Sequence, residues 1–288
     1  MKGPDQNQPI AGTPVNSPAP DRSSGGTPVN SPVQRGRPGL AVVVPAFNEA
    51  ASIGATLTAL AAQTDRDFRL VVVDNASTDD TAAVVRRFAA TAPFPVEVVT
   101  EAEPGAGTAA DTGFRHAITG GATLLARTDA DCLPAPDWIA TLRSYLDRGV
   151  DLVCGRSVPR RDEQPSWAER HVFPAAVRLA AVYGRYRRAH RRPEFRSPYV
   201  LVHGHNLAMT ADLYRRCGGT PREALEDGSE DVTLLNRARR VTSRIVRAED
   251  AVVQASLRRL RAWGGRRTLL WYWDRRWRPA TSTQVHVR

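Results

Sequence analysis

Short apolar runs, each cut off by a polar loop of turn-forming residues, limit what this chain can fold into. Leu40–Val44 is continuous and β-branched, and it gives way to Pro45-Ala46-Phe47-Asn48-Glu49. Leu70–Val73 gives way to Asp74-Asn75-Ala76-Ser77-Thr78-Asp79-Asp80, and Ala122–Arg127 to Asp129-Ala130-Asp131, with Pro134 and Pro136 just beyond. Val96–Val99 is a further run of the same kind. Such runs suit strands buried on both faces. Between them, Ile53, Leu57, Leu60 and Ala61, and then Val84, Val85 and Phe88, follow helical spacing. Ser77 or Thr78 is expected to cap the second helix, and Gly105–Gly107 opens a third, through about Ile118. Strands alternating with helices predict βαβ units and a doubly wound, mostly parallel α/β sheet flanked by helices. Right-handed crossovers then bring the loops 45–49, 74–80 and 129–131 to one sheet edge, where open α/β sheets bind ligands.

The pattern continues with a helix carrying Trp138, Ile139, Leu142 and Leu146 and a strand at Asp151–Cys154. Residues 156–200 turn Arg-rich, and Trp167 to Val182 predict an amphipathic helix inserted beside the sheet. Val200–Met209 has strand-like apolar content around His203-Gly204-His205-Asn206. A helix with Val232, Leu234, Leu235 and Ala238 and a strand at Ile245–Val253 follow. This divides the chain into a first half, 39–155, and a second half of the same domain, 156–255. A basic, Trp-containing tail, 256–288, ends it. Residues 1–38 repeat Gly-Thr-Pro-Val-Asn-Ser-Pro at 12–18 and 26–32 and hold too little apolar surface to fold, so a disordered tail is expected there.

Net charge is +10, concentrated in six Arg of 185–196 and nine Arg of 256–288. Such clusters suit a polyanionic partner or a solvated face. With no ordered nucleic-acid motif, nucleic acid is not expected. The tail fits either peripheral contact with an anionic membrane, Trp in the interface and Arg on headgroups, or packing over the domain. No run of about 18 apolar residues is present, and the N-terminus shows no apolar signal segment. Together with three cysteines lacking Cys-x-x-Cys spacing (Cys132, Cys154, Cys217) this predicts a cytoplasmic protein with reduced thiols, peripheral on the inner membrane face if the tail binds lipid.

Asp129 and Asp131 place two carboxylates one residue apart at a strand end. Oxygen ligands in pairs suit a hard divalent cation shared with substrate phosphates. Asp-x-Asp alone is common in solvated turns; the converging loops make it specific.

Val-Val-Val-Pro-Ala-Phe-Asn-Glu (42–49), Val-Val-Val-Asp-Asn-Ala-Ser-Thr-Asp-Asp-Thr (71–81), Thr-Asp-Ala-Asp (128–131) and Gly-Ser-Glu-Asp-Val-Thr-Leu-Leu-Asn-Arg (228–237) resemble, in this order, the motifs of family 2 glycosyltransferases of the GT-A fold. The resemblance covers roughly 40–240. It implies a single catalytic domain that moves a sugar from a nucleoside-diphosphate sugar to a hydroxyl acceptor with inversion. It implies nucleotide contacts from Pro45, Phe47, Glu49, Asp74, Asp129 and Ala130, and Mg²⁺ or Mn²⁺ on Asp129 and Asp131. It also implies a general base at Asp231, with Glu230 second. The chain departs from the family where Ala109-Ala110-Asp111 replaces an Ala-Arg-Asn. It departs again where Gln254-Ala255-Ser256-Leu257-Arg258-Arg259 stands in place of a late metal-binding His. There Arg258 or Arg259 is the substitute expected to bind diphosphate. Two other readings compete. One is a non-catalytic nucleotide- or polyanion-binding module on a transferase fold. The other is a dinucleotide enzyme using Gly105-Ala106-Gly107, though that string does not follow the first strand, where the fingerprint belongs.

Overall fold

The computed structural model describes residues 39–222 and 230–272. The predicted tail 1–38, the acidic stretch 223–229 and the end of the basic tail lie outside them.

In chain order the elements are β1 (Leu40–Ala46), α1 (Ile53–Ala61), β2 (Phe68–Asp74), α2 (Thr81–Ala89), β3 (Val96–Thr100), α3 (Ala106–Thr119), β4 (Leu124–Arg127), β5 (Leu133–Pro134) and α4 (Trp138–Asp147). They continue with β6 (Leu152–Pro159), α5 (Phe173–Tyr186) after a π-helical turn at Ala168–Val172, β7 (Leu207–Thr210), α6 (Ala211–Arg216), α7 (Glu230–Val241), β8 (Ile245–Ala255), α8 (Arg258–Trp263) and α9 (Gly265–Tyr272). The strands form one sheet in the order β3-β2-β1-β4-β7-β6-β8-β5. Strands β1 to β4 pair in parallel, and β6 pairs in parallel with β8. β7 runs antiparallel to both β4 and β6, and β5 antiparallel to β8. The expected mostly parallel α/β sheet is therefore present, and it passes without interruption from the first half of the chain into the second.

Alternation along the parallel strands explains why they are apolar throughout. Val42, Val44, Leu70 and Val72 face a core closed by Ile53, Leu57, Leu60, Trp138 and Leu142. Ala41, Val43, Val71 and Val73 face the other core, with Phe114, Tyr214, Leu234 and Leu235. Each such buried side chain contributes about 1.5–3 kcal/mol relative to exposure. Gly113 of α3 is where that helix lies closest on the sheet: an added Cβ would sit 2.5 Å from Val43 Cγ1 and 2.8 Å from Val73 Cγ2.

Three expectations are corrected. The strand-like stretch Val200–Met209 yields only β7. Before it the Asn206 N–H turns back to the His203 carbonyl, because Asn206 is needed as a buried amide. It accepts from Trp138 Nε1 at 2.9 Å and donates to the Arg156 and Ala251 carbonyls. The run beginning at Ala122 becomes a strand only at Leu124, since Ala122 N–H still bonds the Ala117 carbonyl of the preceding helix. Neither Ser77 nor Thr78 caps α2; both bond Asn48 instead, and Asp79 accepts the Thr81 N–H. In the basic tail, Trp263 and Leu260 are buried and Arg259 lies over the Trp263 ring, so this part of the tail packs on the domain. The three cysteines are free and buried, and burial raises the Cys154 thiol to about 12.

Candidate active site

The loops after β1 and β2 are tied together. Asn48 N–H donates to Ser77 Oγ, Glu49 N–H to Thr81 Oγ1 and Ala50 N–H to Asp79 Oδ2, while Asn48 Oδ1 accepts from Thr78 N–H at 2.8 Å. Asn48 and Ala76 adopt left-handed backbones with φ of 53° and 57°. For Ala76 that conformation is uncommon and is held by this bonding. Pro45 and Ala46 lie in register with Val73 and Asp74. Asp74 Oδ1 accepts from Ser77 N–H, and Phe47 is half-buried beside them. Much of the polarity of 74–81 thus builds the loop.

The third loop follows β4. Ala130 is buried, and its carbonyl accepts the Thr56 hydroxyl of α1 at 2.8 Å, which fixes the carboxylates on either side of it. Asp129 Oδ1 accepts from Arg127 Nε at 3.1 Å, and the same buried guanidinium reaches Glu230 Oε1 at 3.4 Å. Burial disfavours the charge on Arg127, but Asp129, Glu230 and Asp231 together hold its pKa above the ordinary value. Arg258 Nη2 bridges Glu49 Oε1 at 2.7 Å and Asp131 Oδ2 at 2.9 Å. The two carboxylates respond differently to it. At Glu49 desolvation wins and the pKa is raised; at Asp131 desolvation also opposes charge, but Arg258 outweighs it and the pKa is lowered. Arg160 Nη1 donates to the Asp131 carbonyl at 2.9 Å.

Glu49, Asp129, Asp131 and Arg258 line one cavity of about 750 Å³, together with His203 and His205. The residues fit a hard divalent cation. Asp129 and Asp131 keep 34% and 26% of their side chains accessible, and Glu49 Oε2 is a buried oxygen without a hydrogen-bond partner. No group of three or more His, Cys, Asp or Glu is arranged to hold a metal among the described residues. The remaining coordination would fall to substrate oxygens and water, as is usual for Mg²⁺.

Pro45, Phe47, Asp74 and Ala130 are not among the residues lining this cavity, nor are Glu230 and Asp231. Asp231 lies in the first turn of α7, is 9% exposed, and accepts its neighbour's N–H (Val232) on Oδ1. Gly107 is shaped by packing: a Cβ there would stand 2.5 Å from the Pro221 carbonyl oxygen and 3.1 Å from Glu230 Cβ. Asp111, at the departure from the family pattern, is buried and accepts from Tyr214 Oη and Arg115, and Arg222 spans Glu101, Glu103 and Asp111.

Sequence reading missed Arg127 and Arg160, whereas His203 and His205, read from the sequence as pocket-lining or structural and not as metal ligands, do line the cavity. Arg127 carried a signal: a basic residue ends an otherwise apolar strand two residues before Asp129. Arg160 carried none, because its partner Asp131 is distant in sequence.

The family model described as "Glycosyl transferase family 2" matches residues 41–217. The uncharacterized glycosyltransferase Rv0539 of Mycobacterium tuberculosis is 34% identical over 184 residues, which is 64% of this chain and 76% of that protein. Among solved structures, the mannosyltransferase PcManGT from Pyrobaculum calidifontis, in complex with GDP-Man and Mn²⁺, superposes with a TM-score of 0.56 at 27% identity. The match covers 77% of this chain and 60% of that one. Glucosyl-3-phosphoglycerate synthase from Mycobacterium tuberculosis shares the fold, with a TM-score of 0.50 at 20% identity over 82% of this chain and 80% of that one.

Proposed function

The chain belongs to glycosyl transferase family 2 and is a glycosyltransferase, and on that premise we propose that it transfers a sugar from a nucleoside-diphosphate sugar to an acceptor hydroxyl with inversion. The observation that carries this reading is the meeting of Glu49, Asp129, Asp131 and Arg258, from two loops and the start of α8, in one cavity at the carboxyl edge of the sheet. The complex of PcManGT with GDP-Man and Mn²⁺ supports the same donor chemistry here.

Residues 39–155 form the nucleotide side and 156–255 the acceptor side. Pro45, Phe47, Glu49, Asp74 and Ala130 hold the nucleoside; the carboxylates only accept hydrogen bonds when ionised, which suits base N–H and ribose hydroxyls. Asp129 and Asp131 hold Mg²⁺ or Mn²⁺, which when bound neutralises charge on the departing diphosphate. The Arg258 guanidinium turns from Asp131 toward diphosphate oxygens, for which its fork of donors is suited. The acceptor oxygen forms its bond to the anomeric carbon on the face opposite the diphosphate. The bond from that carbon to the diphosphate oxygen breaks with its electron pair, and the acceptor's proton passes to the Asp231 carboxylate. Arg127 pairs with Glu230 beside it.

A second candidate for the proton is His205. It lines the cavity, as Asp231 does not, and burial lowers its pKa, leaving a neutral imidazole able to accept. The test is release of nucleoside diphosphate and sugar transfer from UDP- and GDP-sugars with Mn²⁺. Asp231→Asn should lower kcat by about 100- to 10,000-fold, with nucleotide binding unchanged, and His205→Gln by less than about tenfold. The reverse ranking moves the base to His205, and full activity in both variants refutes a protein base at either position.

A further inference from the structure

The cavity has a second charged cluster. Arg156 of β6, Arg178 of α5 and Arg247 of β8 all approach one carboxylate, Glu249, at 4.0, 3.8 and 3.0 Å. The three arginines line the cavity and Glu249 does not. Three guanidinium groups against one carboxylate leave an excess of positive charge facing inward. Glu249 is 56% exposed, so each pair is worth only about 0–1 kcal/mol, and Arg156 and Arg178 can turn to a ligand at little cost, while Arg247 is also positioned by the Leu201 carbonyl at 2.8 Å. The placement has a backbone cause. The register of β6 against β8 shifts between Gly155 and Arg156, and a bulge of this kind re-aims the side chains that follow it. Gly155 permits the bend, since a Cβ there would lie 2.2 Å from Asn206 Oδ1.

This basic cluster is separate from the donor end. Arg258 pairs with Asp131 and Glu49 at the donor end, whereas Arg156, Arg178 and Arg247 share Glu249. His205 and His203 stack between the two ends, ring centroids 5.2 Å apart. His205 feels the charges of Asp129 and Asp131, and His203 that of Arg247. A monoanion needs one bidentate arginine; three converging forks match a tetrahedral group of charge about −1.5 to −2.

Resting on the transferase reading, we infer that Arg156, Arg178 and Arg247 form the acceptor subsite and that the acceptor carries a phosphate group. The phosphate can arrive on a lipid or on a soluble molecule. Beyond Arg178 the same helix exposes Leu179, Val182 and Tyr186 to solvent (64%, 55% and 69%), a surface that an acyl or prenyl chain could cover.

Calorimetric titration of the full chain, with Mn²⁺ and with or without UDP or GDP, tests this. The probes are farnesyl phosphate against farnesol and sn-glycerol 3-phosphate against glycerol. At least one phosphate probe should bind about tenfold more tightly than its neutral twin, and the preference should fall to about threefold or less in Arg156→Gln/Arg178→Gln. Both positions are well exposed, at 39% and 56%, so the fold should tolerate the change, and unchanged nucleotide binding by the variant verifies it. Preference for farnesyl phosphate alone assigns a lipid source; preference for glycerol 3-phosphate assigns a soluble one. No preference in either pair, or a preference that survives in the double variant, overturns the proposal. Absence of nucleotide binding alongside an intact, arginine-dependent phosphate preference would instead overturn the transferase reading and leave the phosphate site standing.

Discussion

The parallel edge of the sheet and the inserted helix α5 are built on opposite terms. In β1 and β2, Val42, Val43, Val44, Val71, Val72 and Val73 are all fully buried, and the loops that follow are latched by hydrogen bonds. In α5, Val177 and Gly184 are buried, whereas Leu179, Val182, Tyr183 and Tyr186 are exposed. The first region is fixed by its own packing and presents carboxylates. The second is held at fewer points and presents arginine and apolar surface. A rigid donor end beside a face with uncovered apolar groups is what a transferase needs if its acceptor supplies the missing cover.

Substitutions can break that contrast, beginning at the seam. Asn206→Ala should cost about 3 kcal/mol or more, because Trp138 Nε1 and the Arg156 and Ala251 carbonyls would lose a buried partner together; urea unfolding reads it. Gly113→Ala should cost about 1–3 kcal/mol through overpacking against Val43 and Val73. In α5, Leu179→Gln should change stability by no more than about 0.5 kcal/mol. Equal costs for Gly113→Ala and Leu179→Gln would erase the distinction.

The same contrast decides what could be read from sequence. Each apolar run is followed at once by the polar loop that ends it, so β1 to β4, their helices and the meeting of loops 45–49, 74–80 and 129–131 were legible. The placement of Asp131 beside Arg258 was not. That ion pair spans 127 positions, the Arg258–Glu49 pair 209, and the Arg127–Glu230 pair 103. No periodicity reaches such partners. The departure at Gln254–Arg259 pointed to Arg258 only because a cation was expected there, and the shared arginines around Glu249 had no sequence signal at all. The length of Val200–Met209 misled for a related reason: apolar content suggested a strand where a buried amide required a turn.

A further small effect should be electrostatic and confined to the second region. Arg261, with the Ser166 N–H, pulls the Glu169 carboxyl down to about 2 and ties the turn before α5 to α8. Since the folded pKa lies below the ordinary 4.5, the pair stabilises the fold above that pH, and the contribution is lost as pH falls from 4.5 toward 2. Solvent screens the pair, so the loss should stay under about 1 kcal/mol. Glu169→Gln should remove that part of the pH dependence in acid unfolding and leave the rest.

The central claim is that Asp129 and Asp131 form a cation-assisted nucleotide site, and nucleotide-induced thermal stabilisation tests it most directly. The melting temperature should be followed for wild type and Asp131→Ala with UDP-, GDP- and dTDP-sugars, each with and without Mn²⁺. The account predicts that one nucleotide raises the melting temperature in a Mn²⁺-dependent way, by mass action on the native state, and that Asp131→Ala, still folded, loses the response. A folded wild type that responds to none of them, or an Asp131→Ala variant that responds as wild type does, would contradict it.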